Sequence, residues 1–520
     1  MNGKLPVHLV WFKRDLRVAD HRPLFEATRS GPALGLYIIE PGLWSQPDAS
    51  ERQWLFIRDS LAELREDLAA IGVPLLVRRG EAIEVLESLR SSLNLAALYA
   101  HEETGNAWTF ERDKAVGRWA RSQGLRWTEY RQFGVERGPS DRAGWARRWE
   151  DLMAEPILPE PKQDACPELL CLEPGKFPSP SELGLSCQGA ALGQKGGQKG
   201  GRTEGSATLD SFLRFRGRAY HKELSSPNTA FDSCSRLSAH LAYGTLSLRE
   251  VLVATRTRQQ DVKRDMGADP SWKRALSAFD GRLHWHCHFI QKLEDSPDHE
   301  FRCVHSAFEG LRVPGSSPQA FQAWVEGRTG FPLIDACMRA LNSHGWINFR
   351  MRALLVSFAS YHLWLHWRET GEHLARQFTD YEPGIHWNQM QMQSGTTGIN
   401  TLRIYNPVKQ SYDQDETGRF IRKWVPELRQ VPLPVLHEPW RLSPIERRDL
   451  SLCYPDPIVD HLAAAREARA RIGAIRKQDG FHAEADGIQQ RHGSRRSGLP
   501  PSGRRRTGPR KAANQLTLGL

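Results

Sequence analysis

The chain has 520 residues, 39% hydrophobic and 25% charged, with 17 Trp and 8 Cys, too many for one core and suited to two domains with added segments. No apolar run reaches the roughly 18–20 residues of a membrane span, no leader pattern opens the chain, and the Cys residues are scattered without a CxxC pair, so a membrane protein, a signal peptide and a disulfide scaffold are not expected and a reducing, cytoplasmic setting is. The net charge is +10, but eight basic and no acidic residues lie between Ile488 and Leu520, which leaves about +2 elsewhere; any basic groove on the body must come from local clustering.

Residues 7–12 (VHLVWF), 34–39 (LGLYII), 73–78 (VPLLVR) and 95–100 (LAALYA) have the length and apolar content of buried strands. Helical patterns separate them. In 51–71, Trp54, Ile57, Leu61, Leu64 and Leu68 recur at spacings of three and four and make one apolar face. This alternation predicts a parallel α/β sheet with helices on both faces over residues 1–135. No GxGxxG follows the first strand, so the dinucleotide fingerprint is absent. Residues 136–207 read as a linker. From Pro156 onward Pro, Gly and Ser dominate, and GQKGGQKGGRTEGS predicts mobility over 188–206. Residues 208–470 are mostly helical in pattern. The remainder, 471–520, reads as a basic tail, with no apolar period after Gly480 and disorder expected.

In SCSRLSAHLAYGTLS (233–247) small hydroxyl residues precede a helical run. Such a start caps a helix, and it also suits a phosphate. Arg352, with Asp380 and Glu382, offers either a structural ion pair or a grip on ribose hydroxyls. HWHCH (284–288) places His284 and His288 one helical turn apart. Two His residues without a carboxylate or an HExxH pattern do not make a metal site, so no metal is expected. Cys234, Cys287, Cys303, Cys337 and Cys453 lack the spacing of an iron–sulfur cluster.

Several long motifs occur in a single order. They are VWFKRDLRVADHRPL at the first strand, EGRTGFPLIDACMRALNSHGWINFRMR (326–352), HWRE, DYEPGIHW, GTTGINTLRIYNP and IYNPVKQSYDQDETGRFIRKWVPEL (404–428). Over about residues 5–465, the linker excluded, the chain resembles the photolyase/cryptochrome superfamily. The resemblance implies a Rossmann-like α/β antenna domain joined to an all-α domain that holds FAD in a U shape. On matching positions it implies flavin contacts from Tyr220, Cys234, Ser235, Arg236, Leu237 and Ser238, and an Arg352–Asp380 pair beneath the ring. Tyr381 and Glu382 are further contacts, Glu382 standing for the family's second Asp. The implied activity is light-driven repair of cyclobutane pyrimidine dimers in DNA, a carbon–carbon lyase reaction on a flipped-out lesion. Trp285 matches the residue on which the dimer stacks. Arg282, Phe349, Arg350 and Met392 fall at lesion-pocket positions, and Trp367 matches the middle Trp of an electron-transfer chain.

The pattern breaks at particular residues. The family's dimer-binding carboxylate falls on Arg282, and a guanidinium cannot accept the hydrogen bonds a carboxylate does. The two Trp residues of the usual GWQW segment fall on Met390 and Met392, and the distal Trp falls in a gap near Gly315. Trp387, Trp364, Tyr361 and Trp346 are candidates for another route. The position near flavin N5 falls on His386, a candidate proton donor; a one-residue slip would place Trp387 or Asn388 there. Residues 106–113 (NAWTFERD) hold no clean counterpart of the folate-binding Asn–Glu of some photolyases, so an antenna pigment has no support in the sequence.

The basic stretch 488–520 would attract nucleic acid through counterion release, or simply be solvated. Its last six residues, QLTLGL, resemble the hexapeptide with which bacterial repair proteins dock onto the sliding clamp, with Gln515, Leu516, Leu518 and Leu520 as anchors. The expectation is a monomeric, cytoplasmic deoxyribodipyrimidine photo-lyase with FAD as cofactor and damaged DNA as partner. Two alternatives stand beside it: a cryptochrome-like blue-light photoreceptor without repair activity, and a photolyase for the (6-4) photoproduct or for single-stranded DNA.

Overall fold

A computed structural model describes residues 5–138, 143–185 and 197–493. Strands and helices alternate at first: β1 (Pro6–Phe12), α1 (Arg22–Ser30), β2 (Ala33–Ile39), α2 (Glu51–Ala70), β3 (Leu75–Arg79), α3 (Ala82–Ser92), β4 (Asn94–His101), α4 (Ala107–Ser122) and β5 (Arg126–Tyr130). The five strands form one parallel sheet in the order β3-β2-β1-β4-β5. Every residue of β2 is buried, as expected of a strand covered by helices on both faces. The predicted apolar face of α2 is the buried one, with Trp54, Ile57, Leu61, Leu64 and Leu68 inside. The fifth strand, RWTEY, gave no apolar signal because it is an edge strand with no fully buried residue.

The segment 136–207 departs from the expected tether. α5 (Trp145–Met153) buries Trp145, Trp149 and Met153, and Trp149 meets His284 edge-on at 4.9 Å. The expected mobile span 188–206 is structured from 197 onward, and α6 (Arg202–Arg214) starts inside it. Gly200 and Gly201 lie directly on α2. The Gly201 N–H donates to Ser60 Oγ at 2.9 Å, and a Cβ at Gly200 would stand 2.0 Å from the Phe56 carbonyl oxygen. A low-complexity glycine run here permits close backbone approach.

Helices then dominate. The main ones are α7 (Leu248–Arg264), α8 (Ser271–Asp295), α9 (Pro332–His344), α10 (Phe349–Ser357), α11 (Trp367–Gln377), α12 (Pro383–Ser394), α13 (Arg419–Trp424), α14 (His461–Ile475) and α15 (Phe481–His492). Ile334, Leu341, Leu355 and Trp367 are buried in their shared core. The expected tail from 471 is corrected up to 493. α14 runs past 471, and α15 buries Phe481, Ala485, Ile488 and His492. Those four recur at helical spacing, a short apolar face among charged neighbours. Phe481 stacks on the fully buried His305 at 4.0 Å. The two halves are tied by backbone-directed hydrogen bonds: Arg52 Nη2 donates to Asn342 O at 2.7 Å, and Gln53 Nε2 to Ala375 O at 2.9 Å. Among the described residues no helix is long and apolar enough to cross a membrane.

Candidate functional site

A cavity of about 270 Å³ opens within the helical half, walled by the 234–238 loop, α8, α10, α11 and α12. The bidentate pair of Arg352 and Asp380 stands in its wall, Nη1 to Oδ1 at 3.1 Å and Nη2 to Oδ2 at 2.8 Å. Arg352 is fixed from behind, since its Nε donates to Ile347 O at 2.8 Å and its guanidinium lies 4.0 Å over Phe378. Fork-to-carboxylate geometry fixes both side chains as one unit.

Tyr220, Cys234, Ser235, Arg236 and Ser238 also line the cavity, as do Phe349, Tyr381, Glu382 and His386. Leu237 does not; it turns into the neighbouring core at 1% exposure. Arg236 has a left-handed backbone (φ 63°), unusual for a residue with a side chain. Its guanidinium is held between Phe231 and Trp346 at 4.1 and 4.0 Å, and burial pushes its pKa down to about 10. Burial likewise pushes the Cys234 thiol up to about 12, so it stays protonated.

Glu382 Oε2 pairs with Arg14 Nη2 at 3.0 Å, and Arg14 also donates to Tyr381 O at 2.8 Å. Burial pushes the Glu382 carboxyl up to about 7 against the pull of Arg14. His386 Nε2 lies 2.9 Å from Gly371 O, and a carbonyl accepts only, so Nε2 carries the proton. Burial pushes this imidazole down to about 4. In the neutral ring the Nδ1 is then bare and available as an acceptor. The one-residue slip is excluded as a source of wall residues: Asn388 spends its amide on Phe289 O and Gly384 O.

Helical phase explains the other departures. On α12 the wall is made by Ile385 with His386, Gln389, Met390 and Gln393, the last four at i, i+3, i+4 and i+7. Met392 lies off that face and outside the wall, and Trp387 points into the core, edge-on to Trp367 at 5.9 Å. On α8 the wall residue is His286. Trp285 is half-buried beside it, stacked on Phe289 at 5.7 Å. Arg282, one turn earlier, is also outside the wall; it acts on Tyr220, lowering a phenol that burial pushes up to about 12. Arg350 is half-buried with its Nε unpartnered, outside the wall. Gln389, Gln393 and His286 were missed from the sequence; their signal was the helical spacing from His386 and the parity of the HWHCH run.

Three buried polar atoms on wall residues have no hydrogen-bond partner among the described residues: Arg236 Nη1, Glu382 Oε1 and Gln393 Oε1. Buried orphans are costly unless a ligand completes them. One cationic donor, the Gln393 acceptor and a Glu382 oxygen that becomes an acceptor once its carboxyl ionises, with apolar surface from Val356, Leu374 and Ile385, fit a flat ring bearing N–H or hydroxyl donors and an anionic group. A dinucleotide flavin has all of these. His284 packs on Trp145 and Trp149, at 5.1 and 4.9 Å. Among the described residues one trio of close ligand atoms exists, Asp15, His21 and His101. Both rings lie 2.8 Å from Asp15 Oδ2, and His21 Nδ1 accepts from Leu24 N–H at 3.1 Å. His21 Nε2 is then the protonated nitrogen and donates to Asp15, so the trio is a hydrogen-bonded network.

A second, smaller cavity of about 90 Å³ lies between the two halves, with Trp11, Tyr37, Glu40, Glu103 and Arg112 in its wall. It sits where the strand order reverses between β1 and β4, the crevice of such sheets where ligands bind. Tyr381 is shared with the larger cavity, and its hydroxyl donates to Asp48 at 2.6 Å.

Residues 279–474 match the family model of the FAD binding domain of DNA photolyase, and residues 8–132 match that of DNA photolyase. The chain is 31% identical to the cryptochrome DASH of Gloeobacter violaceus, over 88% of this chain and 95% of that protein. It is also 31% identical to the deoxyribodipyrimidine photo-lyase of Escherichia coli, over 91% of this chain and all (100%) of that one. The crystal structure of a class III photolyase from Agrobacterium tumefaciens superposes with a TM-score of 0.78 at 25% identity, covering 92% of this chain and 99% of that one.

Proposed function

Since this chain belongs to the photolyase/cryptochrome family, with FAD as its cofactor, we propose that it is a light-driven lyase for cyclobutane pyrimidine dimers in DNA. The observation that carries the reading is the cavity with three unsatisfied buried polar atoms beside a locked Arg352–Asp380 pair. Bound FAD, reduced and excited by light, would supply an electron to the lesion and take it back. The protein's own part is binding, orientation and exclusion of water. Arg236 Nη1 offers a donor to a phosphate, Glu382 Oε1 an acceptor to a hydroxyl or ring N–H, and Gln393 Oε1 a second acceptor. Neutral His386 keeps a second positive charge away from Arg352 and offers Nδ1 as an acceptor. Met390 presents an apolar thioether in place of an indole N–H, so its stretch of wall stays dry.

Trp285 gives a flipped base a face to stack on, at half-exposure next to the wall residue His286. Dark binding tests this part. Oligonucleotides carrying one cyclobutane dimer should bind more tightly than undamaged ones. Equal affinity would favour the photoreceptor reading, for which the departures at Arg282, Met390 and Met392 speak. A preference confined to the (6-4) product or to single strands would keep a lyase and change its lesion. The smaller cavity is the place for an antenna pigment. The basic segment beyond 493 and its QLTLGL end, with Gln515, Leu516, Leu518 and Leu520, lie outside the described residues. We keep clamp docking as a proposal on sequence, removed if truncating 515–520 leaves clamp affinity unchanged.

A further inference from the structure

Against the FAD cavity lies another of about 150 Å³, and Trp346 and Ile347 belong to the walls of both. Its walls come from separate stretches of chain: the 227–232 loop, the end of α9, the start of α10, and α13. Aromatic rings dominate. Phe231 is 40% exposed and edge-on to both His344 (5.2 Å) and Trp346 (5.9 Å). His344 is in turn edge-on to Trp424 at 4.9 Å. Its Nδ1 is buried without a partner.

Charge is the second feature. α13 presents Arg419 and Lys423 one turn apart, both exposed, and neither forms an ion pair with any described residue. Among the described residues Asp232 is the one carboxylate in the wall. Behind the rings, Arg236 fills the gap between Phe231 and Trp346, so two rings are each held from one side by a cation. A purely apolar ligand would leave Arg419 without an opposite charge and Lys423 only against the Trp424 ring at 5.2 Å, and an inorganic anion would leave the rings unused.

We propose that this slot binds a nucleoside phosphate, with the base among Phe231, Trp346 and Trp424 and the phosphate on Arg419 and Lys423. Flat bases stack on aromatic side chains whatever their identity, and Arg and Lys both meet phosphate well. His344 Nδ1 and Asp232 offer polar contacts to a base edge. Two sources carry this chemistry, a free nucleotide and a nucleotide of a single strand. The inference stands on this cavity and does not depend on the repair reading.

The test uses the full chain with FAD bound, so that the larger cavity is filled. Calorimetric titration is run with deoxyadenosine monophosphate and with a five-nucleotide single strand. Saturable binding of one probe per chain is expected. The Arg419→Glu/Lys423→Glu pair should weaken it at least tenfold, and Trp424→Ala by about 5- to 150-fold, with the flavin absorbance unchanged. Equal affinity for the two probes assigns the site to free nucleotides; a tighter oligonucleotide assigns it to a strand. Should Trp424→Ala fail to fold, the exposed charge reversals carry the test alone. Failure of both probes to saturate, or an unchanged affinity after charge reversal, overturns the proposal.

Discussion

Glu382 holds one carboxylate oxygen on Arg14 and leaves the other without a partner, and burial pushes its pKa up to about 7. The folded apoprotein therefore keeps a proton that the unfolded chain releases in the ordinary carboxylate range. The sign follows from linkage: this stabilisation is fully present below that range and is lost as pH rises through about 7. Glu40, Glu294 and Glu300 are pushed up to about 7 as well, so the informative quantity is a difference. The Glu382→Gln apoprotein should lose less melting temperature than wild type between pH 6 and pH 8; parallel curves would refute a protonated Glu382. Asp380→Ala should abolish the flavin absorbance of purified protein, because Arg352 is left unpaired in the wall. The cost for a fully buried pair is roughly 3–5 kcal/mol, and it is smaller here because Arg352 is 24% exposed. Trp285→Ala should keep the flavin and weaken binding to dimer-containing DNA by about 1–3 kcal/mol; unchanged binding would place the lesion elsewhere.

At the level of elements, α12 decides how the missing indoles are replaced. Met390 is in the wall, and Trp387, one residue past His386, reaches Trp367 inside the core. We propose that the pair serves as an electron route toward the cavity that bypasses Met390. Trp387→Phe should slow light-driven reduction of bound FAD by an added thiol to a small fraction of the wild-type rate; an unaffected rate would remove Trp387 from the path. α15 makes a separate prediction. Phe481 is 4% exposed and stacked on His305, so Phe481→Ala should cost about 3–5 kcal/mol of stability in denaturant unfolding. A disordered segment would show no change.

These two helices also show what the sequence could convey. The long apolar faces, as in α2, were legible because their period persists for several turns, and the Arg352–Asp380 pair was legible through its motif. Leu237 and Met392 matched motif positions, yet a residue's place in a motif does not fix which way its side chain turns on a helix. β5 and α15 were silent for a different reason: one is an edge strand and the other a single short apolar stripe, and both gain their order from what they pack against.

The α/β half supports the larger cavity of the helical half directly. Arg14 follows β1 and reaches Ala242 O, Tyr381 O and Glu382, so the cavity wall is anchored across both halves. Eight basic residues and no acidic one lie after 488, and we propose that this segment supplies loose, salt-dependent DNA binding separable from lesion recognition. Truncation after 493 should therefore weaken binding to undamaged DNA while leaving the preference for a dimer intact. Protein with reduced FAD is illuminated with an oligonucleotide carrying one defined cyclobutane dimer, and the dimer is followed by chromatography. Its light-dependent loss, absent in the dark and in Asp380→Ala, is the predicted result. Persistence of the dimer under light that still changes the flavin spectrum would contradict it.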